Sequence, residues 1–260
     1  MSITSQTELI AVEADGPVIT VRVNRPDKLN AVTQEMSEEL ERIVGAINDD
    51  AQVRAVVYTG TGRAFSAGSD IATLDQYATP WEFRNRRDYC DALRELRKPV
   101  IAAINGYAFG GGLEASLTCD IRIAAETATF AAPEVKLGWI GGGGMSALLA
   151  ASIGATNAAL MLMTGEAIDA ATALAWGLVS EVVPAGDLLE RAQELAAVIA
   201  SRPPIAVETA KANLRAAWNL PQEQAIVYER EMQAITFATD DAAEGRAAFA
   251  ERRPGTFHGH

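Results

Sequence analysis

The stretch Asn105-Gly106-Tyr107-Ala108-Phe109-Gly110-Gly111-Gly112-Leu113-Glu114 links the short β-branched run Val100 to Ile104 to a helical pattern beginning near Gly111. A buried strand delivered through glycines into a helix is the local grammar of an α/β chain. The same order recurs on either side. Ala55 to Tyr58 and Ile121 to Ala124 are further short apolar runs, each bounded by turn signals and followed by helical pattern. Upstream, Glu8 to Ala14 and Val18 to Val23 read as strands with Asp15-Gly16 as the hairpin turn between them. Thr33 is placed to cap a helix running to about Ile47, because Met36, Leu40, Ile43, Val44 and Ile47 follow helical spacing. Beyond about Asp187 the pattern is helical only, with starts near Asp187, Pro203, Pro221 and Asp240. The plan is an α/β core over residues 1–185 and a helical region over 186–260, with no repeat close enough in sequence to identify.

Composition narrows the chemistry. At 260 residues and 49% hydrophobic content, one large domain or a domain with an appendage is the natural size. The net charge of −12, from 22 basic and 34 acidic residues, argues against nucleic acid or an anionic membrane surface as partner. An anionic small molecule stays open to it through a local patch. Cys90 and Cys119 are the only cysteines, too few for a disulfide framework or a cysteine-based metal site. The only histidines, His258 and His260, lie at the end of the chain, which speaks against a Ser-His-Asp triad. Acid–base work therefore falls to carboxylates, Tyr, Lys or backbone groups. Residues 137–165 carry no charge and are long enough to span a bilayer, but glycines at 141–144 and the Gly154-Ala155-Thr156-Asn157 turn break them. Two short buried helices joined by a turn are expected there. With no basic residue before Arg22 and no long apolar leader, the chain reads as soluble and cytoplasmic.

Three segments hold groups that can do chemistry. In Arg63-Ala64-Phe65-Ser66-Ala67-Gly68-Ser69-Asp70, small residues let a ligand approach the backbone and leave N–H groups free to donate, although an ordinary turn has the same composition. In the glycine triplet at 110–112, unsatisfied N–H groups and the positive end of a helix dipole meet whatever lies beside them, an arrangement suited to a developing oxyanion. Glu114 falls in the first turn of that helix, where a carboxylate also simply complements the dipole. In Phe130-Ala131-Ala132-Pro133-Glu134-Val135-Lys136-Leu137-Gly138-Trp139, Glu134 stands among apolar and small residues. Exposed on a loop it does nothing special. Buried, its pKa rises into a range that suits proton donation.

Taken together these segments resemble the enoyl-CoA hydratase/isomerase family, also called the crotonase family. The resemblance begins at Asn24-Arg25-Pro26 with Asn30-Ala31 and passes through Ala67-Gly68-Ser69-Asp70, Gly110-Gly111-Gly112-Leu113-Glu114 and Pro133-Glu134. It continues through Ala175-Trp176-Gly177-Leu178-Val179 to Phe249-Ala250-Glu251-Arg252-Arg253-Pro254. It implies an α/β fold built as a spiral of ββα units, followed by a C-terminal helical region for oligomerisation and completion of the CoA pocket. It implies an acyl-CoA thioester as substrate and an oxyanion hole made by the backbone N–H groups of Ser69 and Gly111. Glu114 and Glu134 match the two glutamates of the hydratases, with Glu114 chiefly activating water and Glu134 protonating the α-carbon. Arg25, Lys28, Ala67 and Asp70 match the surroundings of the CoA nucleotide. No metal and no cofactor are implied beyond CoA itself, which is part of the substrate, and the assembly is a trimer or a dimer of trimers. Isomerisation of the double bond, or a non-catalytic binding role, are the competing readings.

Two features lie outside that pattern. Hydratases usually follow the second glutamate with a loop of the type Gly-x-x-Pro-Gly-x-Gly-Gly-Thr, whereas here it reads Gly138-Trp139-Ile140-Gly141-Gly142-Gly143-Gly144-Met145-Ser146, without the proline and with bulk at Met145. The acyl group is therefore open. From Arg84 to Lys98 the chain holds six basic residues with interleaved acids, either a solvated helical face or a wall of an acyl tunnel lined by Trp81, Phe83 and Tyr89.

Overall fold

The structure, a computed structural model, describes residues 3–74 and 76–260. At the N-terminus the first two apolar runs form an antiparallel hairpin of β1 (Ile10–Asp15) and β2 (Val18–Val23). The turn falls at Gly16-Pro17, one residue later than the sequence suggests, with Gly16 at φ 54°. Helix α1 (Gln34–Asp49) starts where Thr33 accepts a hydrogen bond from the Met36 N–H. Its Met36, Leu40, Ile43, Val44 and Ile47 are all buried, as their spacing predicts.

The chain then makes the same move three times. Strand β3 (Ala55–Gly60) is followed by β4 (Ala64–Ser66) and the short helices α2 (Ile71–Leu74), α3 (Pro80–Asn85) and α4 (Tyr89–Arg94). Strand β5 (Val100–Ile104) is followed by β6 (Tyr107–Phe109) and α5 (Gly111–Thr118). Strand β7 (Ile121–Ala125) is followed by β8 (Thr129–Ala131) and α6 (Met145–Thr164). The first strand of each pair enters one sheet and the second enters another. With β9 (Ile168–Asp169), helix α7 (Ala170–Ala175) and β10 (Glu181–Val183), the two sheets read β1-β2-β3-β5-β7-β10 and β4-β6-β8-β9. Neighbours are parallel except β1 with β2 and β8 with β9. This is the spiral of ββα units that the resemblance implies.

Residues 55–58 of β3 and Val100–Ile104 of β5 are uninterrupted by charged or small polar residues because both faces of the larger sheet are covered there. Along β3, Val56 and Tyr58 point into a core shared with Leu40, Ile43, Leu93 and Leu113. Ala55 and Val57 point the other way, against α8 (Leu188–Ala200). Ala192, Ala196 and Ala200 recur every four residues on α8 and bring its backbone close to the sheet. Three further helices follow, α9 (Pro204–Asn219), α10 (Gln222–Phe237) and α11 (Asp240–Glu251), each starting within a residue of its sequence signal.

Helix α6 is long and apolar enough by composition to cross a membrane, but its backbone is non-helical at Gly154 (φ 77°, ψ 157°). It is two helices joined at a glycine. They are less buried than expected: Met145, Leu149, Ile153, Ala158 and Met161 pack inward, whereas Leu160 and Met163 stand exposed. One face meets the core, and among the described residues nothing covers Leu160 and Met163 on the other.

Candidate active site

Where β4 and β6 end, their following loops run side by side. Gly68 (φ 97°) is so close to the second loop that a Cβ there would lie 2.8 Å from the Gly111 nitrogen. Only glycine fits on both grounds. The loop at 67–70 is pinned by its backbone. The Ala67 N–H donates to Leu29 O (2.9 Å), the Val32 N–H to Gly68 O (2.8 Å), and the Asp70 N–H to Val32 O (2.8 Å). The Gly68 N–H meets Ser66 Oγ at 3.1 Å and the Gly110 N–H meets Ala131 O at 2.9 Å. Between these satisfied donors, the N–H groups of Ser69 and Gly111 have no acceptor among the described residues. Both residues line a cavity of about 180 Å³. Two adjacent unpaired amides, one at the start of α5, form a cradle for negative charge on an oxygen.

The same cavity carries two carboxyl groups. Glu114, on the first turn of α5, is 6% exposed. Its Oε1 accepts from the Gly143 N–H at 2.8 Å and the Met145 N–H at 3.1 Å, at the N-terminus of α6. Its Oε2 has no donor among the described residues and is not sealed from solvent. Burial raises the pKa of Glu114, the two amides act in the opposite sense, and the charges of Glu134 and Asp88 raise it further. Glu134 sits in a 3₁₀ turn opened by Pro133, with its Oε1 only 3.0 Å from where a Cβ on Gly110 would be. Burial raises its pKa as well. Both carboxyl groups line the same cavity as the unpaired amides.

The glycine run that departs from the usual hydratase loop is the seat of Glu114. A Cβ on Gly141 would lie 2.7 Å from Glu114 Oε1, and one on Gly143 would lie 2.9 Å from Oε2. Side chains there would evict the carboxylate. The signal was present in the sequence as a glycine stretch before a helix, a pattern that makes anion-binding nests of N–H groups. Nothing in the sequence said which anion.

The expected CoA-binding residues are distributed as follows. Ala67 lines the cavity, and Lys28 is exposed on the neighbouring turn. Arg25 and Asp70 meet each other: Arg25 Nη1 lies 2.6 Å from Asp70 Oδ2 and 3.1 Å from Ala31 O. That contact holds the Asp70 carboxyl below its usual range. Asn30, fully buried at φ 58°, splints the same region by accepting from the Arg25 N–H and donating to Thr61 O and Ala64 O. Much of the Asn24-to-Ala31 motif thus works by fixing the Ser69 loop.

The basic stretch from Arg84 to Lys98 is not one solvated face. It breaks between α3 and α4, Arg86 turns into the cavity, and Lys98 is buried 2.5 Å from Glu208. Of the proposed tunnel residues, Phe83 lines the cavity, whereas Trp81 is 69% exposed and lines none of it. Tyr89 lies buried beneath the Gly111 loop, its hydroxyl 3.3 Å from Ser69 Oγ, which gives the Ser69 side chain a partner that the sequence did not reveal.

The family model described as enoyl-CoA hydratase/isomerase matches residues 13–260. The chain belongs to the enoyl-CoA hydratase/isomerase family. Among its relatives, a protein named probable mitochondrial enoyl-CoA hydratase from Dictyostelium discoideum is 40% identical, over 95% of this chain and 89% of its own. One named short-chain-enoyl-CoA hydratase from Clostridium acetobutylicum is 36% identical, over 94% of this chain and 95% of its own. A crystal structure of an enoyl-CoA hydratase subunit from Geobacillus kaustophilus superposes with a TM-score of 0.92 at 36% identity, covering 98% of this chain and all of the other.

Proposed function

We propose that this member of the family is an enoyl-CoA hydratase, adding water reversibly to the double bond of a 2-enoyl-CoA thioester. One observation carries the reading: a buried and a half-buried carboxyl group, both with raised pKa values, line the same small cavity as two adjacent backbone N–H groups that lack acceptors among the described residues. The thioester oxygen takes the place between the N–H groups of Ser69 and Gly111. Water attacks the β-carbon as Glu114 accepts a proton from it, the double-bond electrons move to the thioester oxygen as an enolate, and the amides hold that charge. The enolate then collapses as Glu134 gives a proton to the α-carbon. Water has been added, and proton exchange through the two carboxyl groups restores their starting states.

The division of roles has a physical basis. Burial raises the pKa of both glutamates, but at Glu114 two amides hold one oxygen and offset part of that rise, which favours the ionised form that a base needs. Glu134 has no such pair of donors among the other described residues, and burial favours its protonated form, the form an acid needs. The chemistry draws on carboxyl groups and amides, with CoA as part of the substrate and no metal or further cofactor assigned. The nucleotide end of CoA lies by Arg25, Lys28, Ala67 and Asp70, at the Ser69 end of the cavity.

The helical region after residue 185 serves assembly into a trimer or a dimer of trimers. Trp218, Val227, Ile235, Phe237 and Phe249 are large apolar side chains exposed on α9, α10 and α11, a load that a second copy would cover. The experiment for the catalytic reading is hydration of crotonyl-CoA, followed as loss of the conjugated thioester absorbance. A double-bond shift in a 3-enoyl-CoA with no hydration of crotonyl-CoA would replace hydratase by isomerase.

A further inference from the structure

The wall of the cavity that would face the acyl group is mostly apolar, with Ile71, Leu74, Leu137 and Ile140, yet it contains one cation. The side chain of Arg86 is 17% exposed and its guanidinium lies 4.0 Å from the centre of the Phe83 ring. One donor is used within the protein, Nη1 to Phe83 O at 2.6 Å. The nearest carboxylate oxygen, Asp88 Oδ2, is 3.7 Å from Nη2, beyond hydrogen-bond range. Oδ1 of Asp88 is already committed to the N–H groups of Cys90 and Asp91 at the start of α4. Arg86 therefore presents a guanidinium with spare donors to the cavity.

Its position is defined by the glycine loop. A Cβ on Gly142 would lie 3.7 Å from Arg86 Nη2, and a Cβ on either neighbouring glycine would press on the Glu114 carboxylate. An acyl chain held by its thioester at Ser69 and Gly111, with its reacting carbons against Glu114, continues past Arg86. Asp88 lies within ion-pair range of Arg86 but accepts no hydrogen bond from it, so the guanidinium keeps N–H groups that a ligand carboxylate can fill. Guanidinium is matched in shape to a carboxylate. The cavity, about 180 Å³, is small beside the ~300–1,000 Å³ usual for ligand sites and suits a short acyl group.

We propose that the preferred substrate is a short 2-enoyl-CoA bearing a carboxylate at the far end of its acyl chain, and that Arg86 is the residue that selects it. This inference rests on the acyl-CoA hydratase reading. The matched probes are crotonyl-CoA and 4-carboxybut-2-enoyl-CoA, the same chain with a carboxylate on its last carbon. The parent protein should hydrate the carboxylated thioester with the higher kcat/KM. Arg86→Met should lower the ratio of the two kcat/KM values by about tenfold or more, the scale of one charge-assisted contact. Arg86→Lys, which keeps the charge, should retain part of the preference. A parent preference for crotonyl-CoA, or a ratio unmoved in a folded Arg86→Met, overturns the proposal and leaves the hydratase reading intact. Hydration of neither probe removes both. Should Arg86→Met not fold, competition on the parent protein decides. Saturated glutaryl-CoA is expected to inhibit at least about threefold more tightly than butyryl-CoA, and a smaller difference overturns the assignment.

Discussion

The hydroxyl oxygen of Tyr89 lies 1.9 Å from the point that a Cβ on Gly111 would occupy. Tyr89 is 2% exposed and cannot swing aside without opening the core, so the middle glycine of the triplet is required by packing as well as by its N–H. Gly111→Ala should destabilise the fold by about 1–3 kcal/mol, the usual cost of overpacking, and sharply lower hydration by moving the amide. Adding Tyr89→Phe removes the hydroxyl and leaves the ring carbon Cζ, 3.2 Å from the new Cβ, as the nearest contact. The double variant should recover part of the stability. Denaturant unfolding of the two variants checks this, and a Gly111→Ala protein as stable as the parent contradicts it.

Much of this was legible in the sequence, for identifiable reasons. Val100 to Ile104 and Ala55 to Tyr58 announce strands because both faces are buried, and no polar residue interrupts them. Thr33 announces α1 because its oxygen meets an orphan N–H three residues on. Ser69, Gly111, Glu114 and Glu134 stand out because glycine-rich loops and a Pro-Glu pair are local features. The three repeated ββα units were legible only through the family resemblance and not from the residues themselves, since each second strand is only three residues long and its placement in another sheet is a tertiary choice. Nor was the seat of Glu114, because its carboxylate meets an amide 29 residues further along the chain. Arg86 looked like its basic neighbours until the break between α3 and α4 turned it inward.

The coupling between the two glutamates has a signed consequence. The charge of Glu134 raises the pKa of Glu114, so Glu134→Gln should lower it. Carbon-13 titration of the Glu114 carboxyl in the two proteins measures the difference, and an unchanged or higher value in the variant contradicts the arrangement. Stability follows the same linkage. Because the folded pKa of Glu114 is raised, its contribution is fully present below the ordinary carboxylate value and is lost as pH rises through the folded value. Glu114→Gln should therefore gain stability relative to the parent on going from pH 4 to pH 8. Paired unfolding curves at those two values test the sign.

Gly143 has an ordinary negative φ, so its role is one of space. A Cβ there would press on Glu114 Oε2 at 2.9 Å and on the Cys90 side chain at 3.0 Å. Gly143→Ala should lower kcat by about 10-fold or more through displacement of a positioned carboxylate, with a smaller change in KM. A variant with the parent kcat would show that the glycine loop does not position Glu114.

Static light scattering at micromolar concentration should give a mass three or six times that of one chain, because the exposed apolar side chains of α9 to α11 require a cover. A monomer would contradict the assembly proposed for the helical region.

The most direct test of the central claim is the pair of single variants Glu114→Gln and Glu134→Gln, assayed for crotonyl-CoA hydration together with thioester binding. Each should lose about 10²–10⁴-fold in hydration, the range for positioned acid–base groups. Binding and polarisation of the bound thioester carbonyl should persist in both, because Ser69 and Gly111 act through backbone N–H groups that neither change touches. If either variant hydrates crotonyl-CoA at the parent rate, the two-glutamate mechanism is wrong.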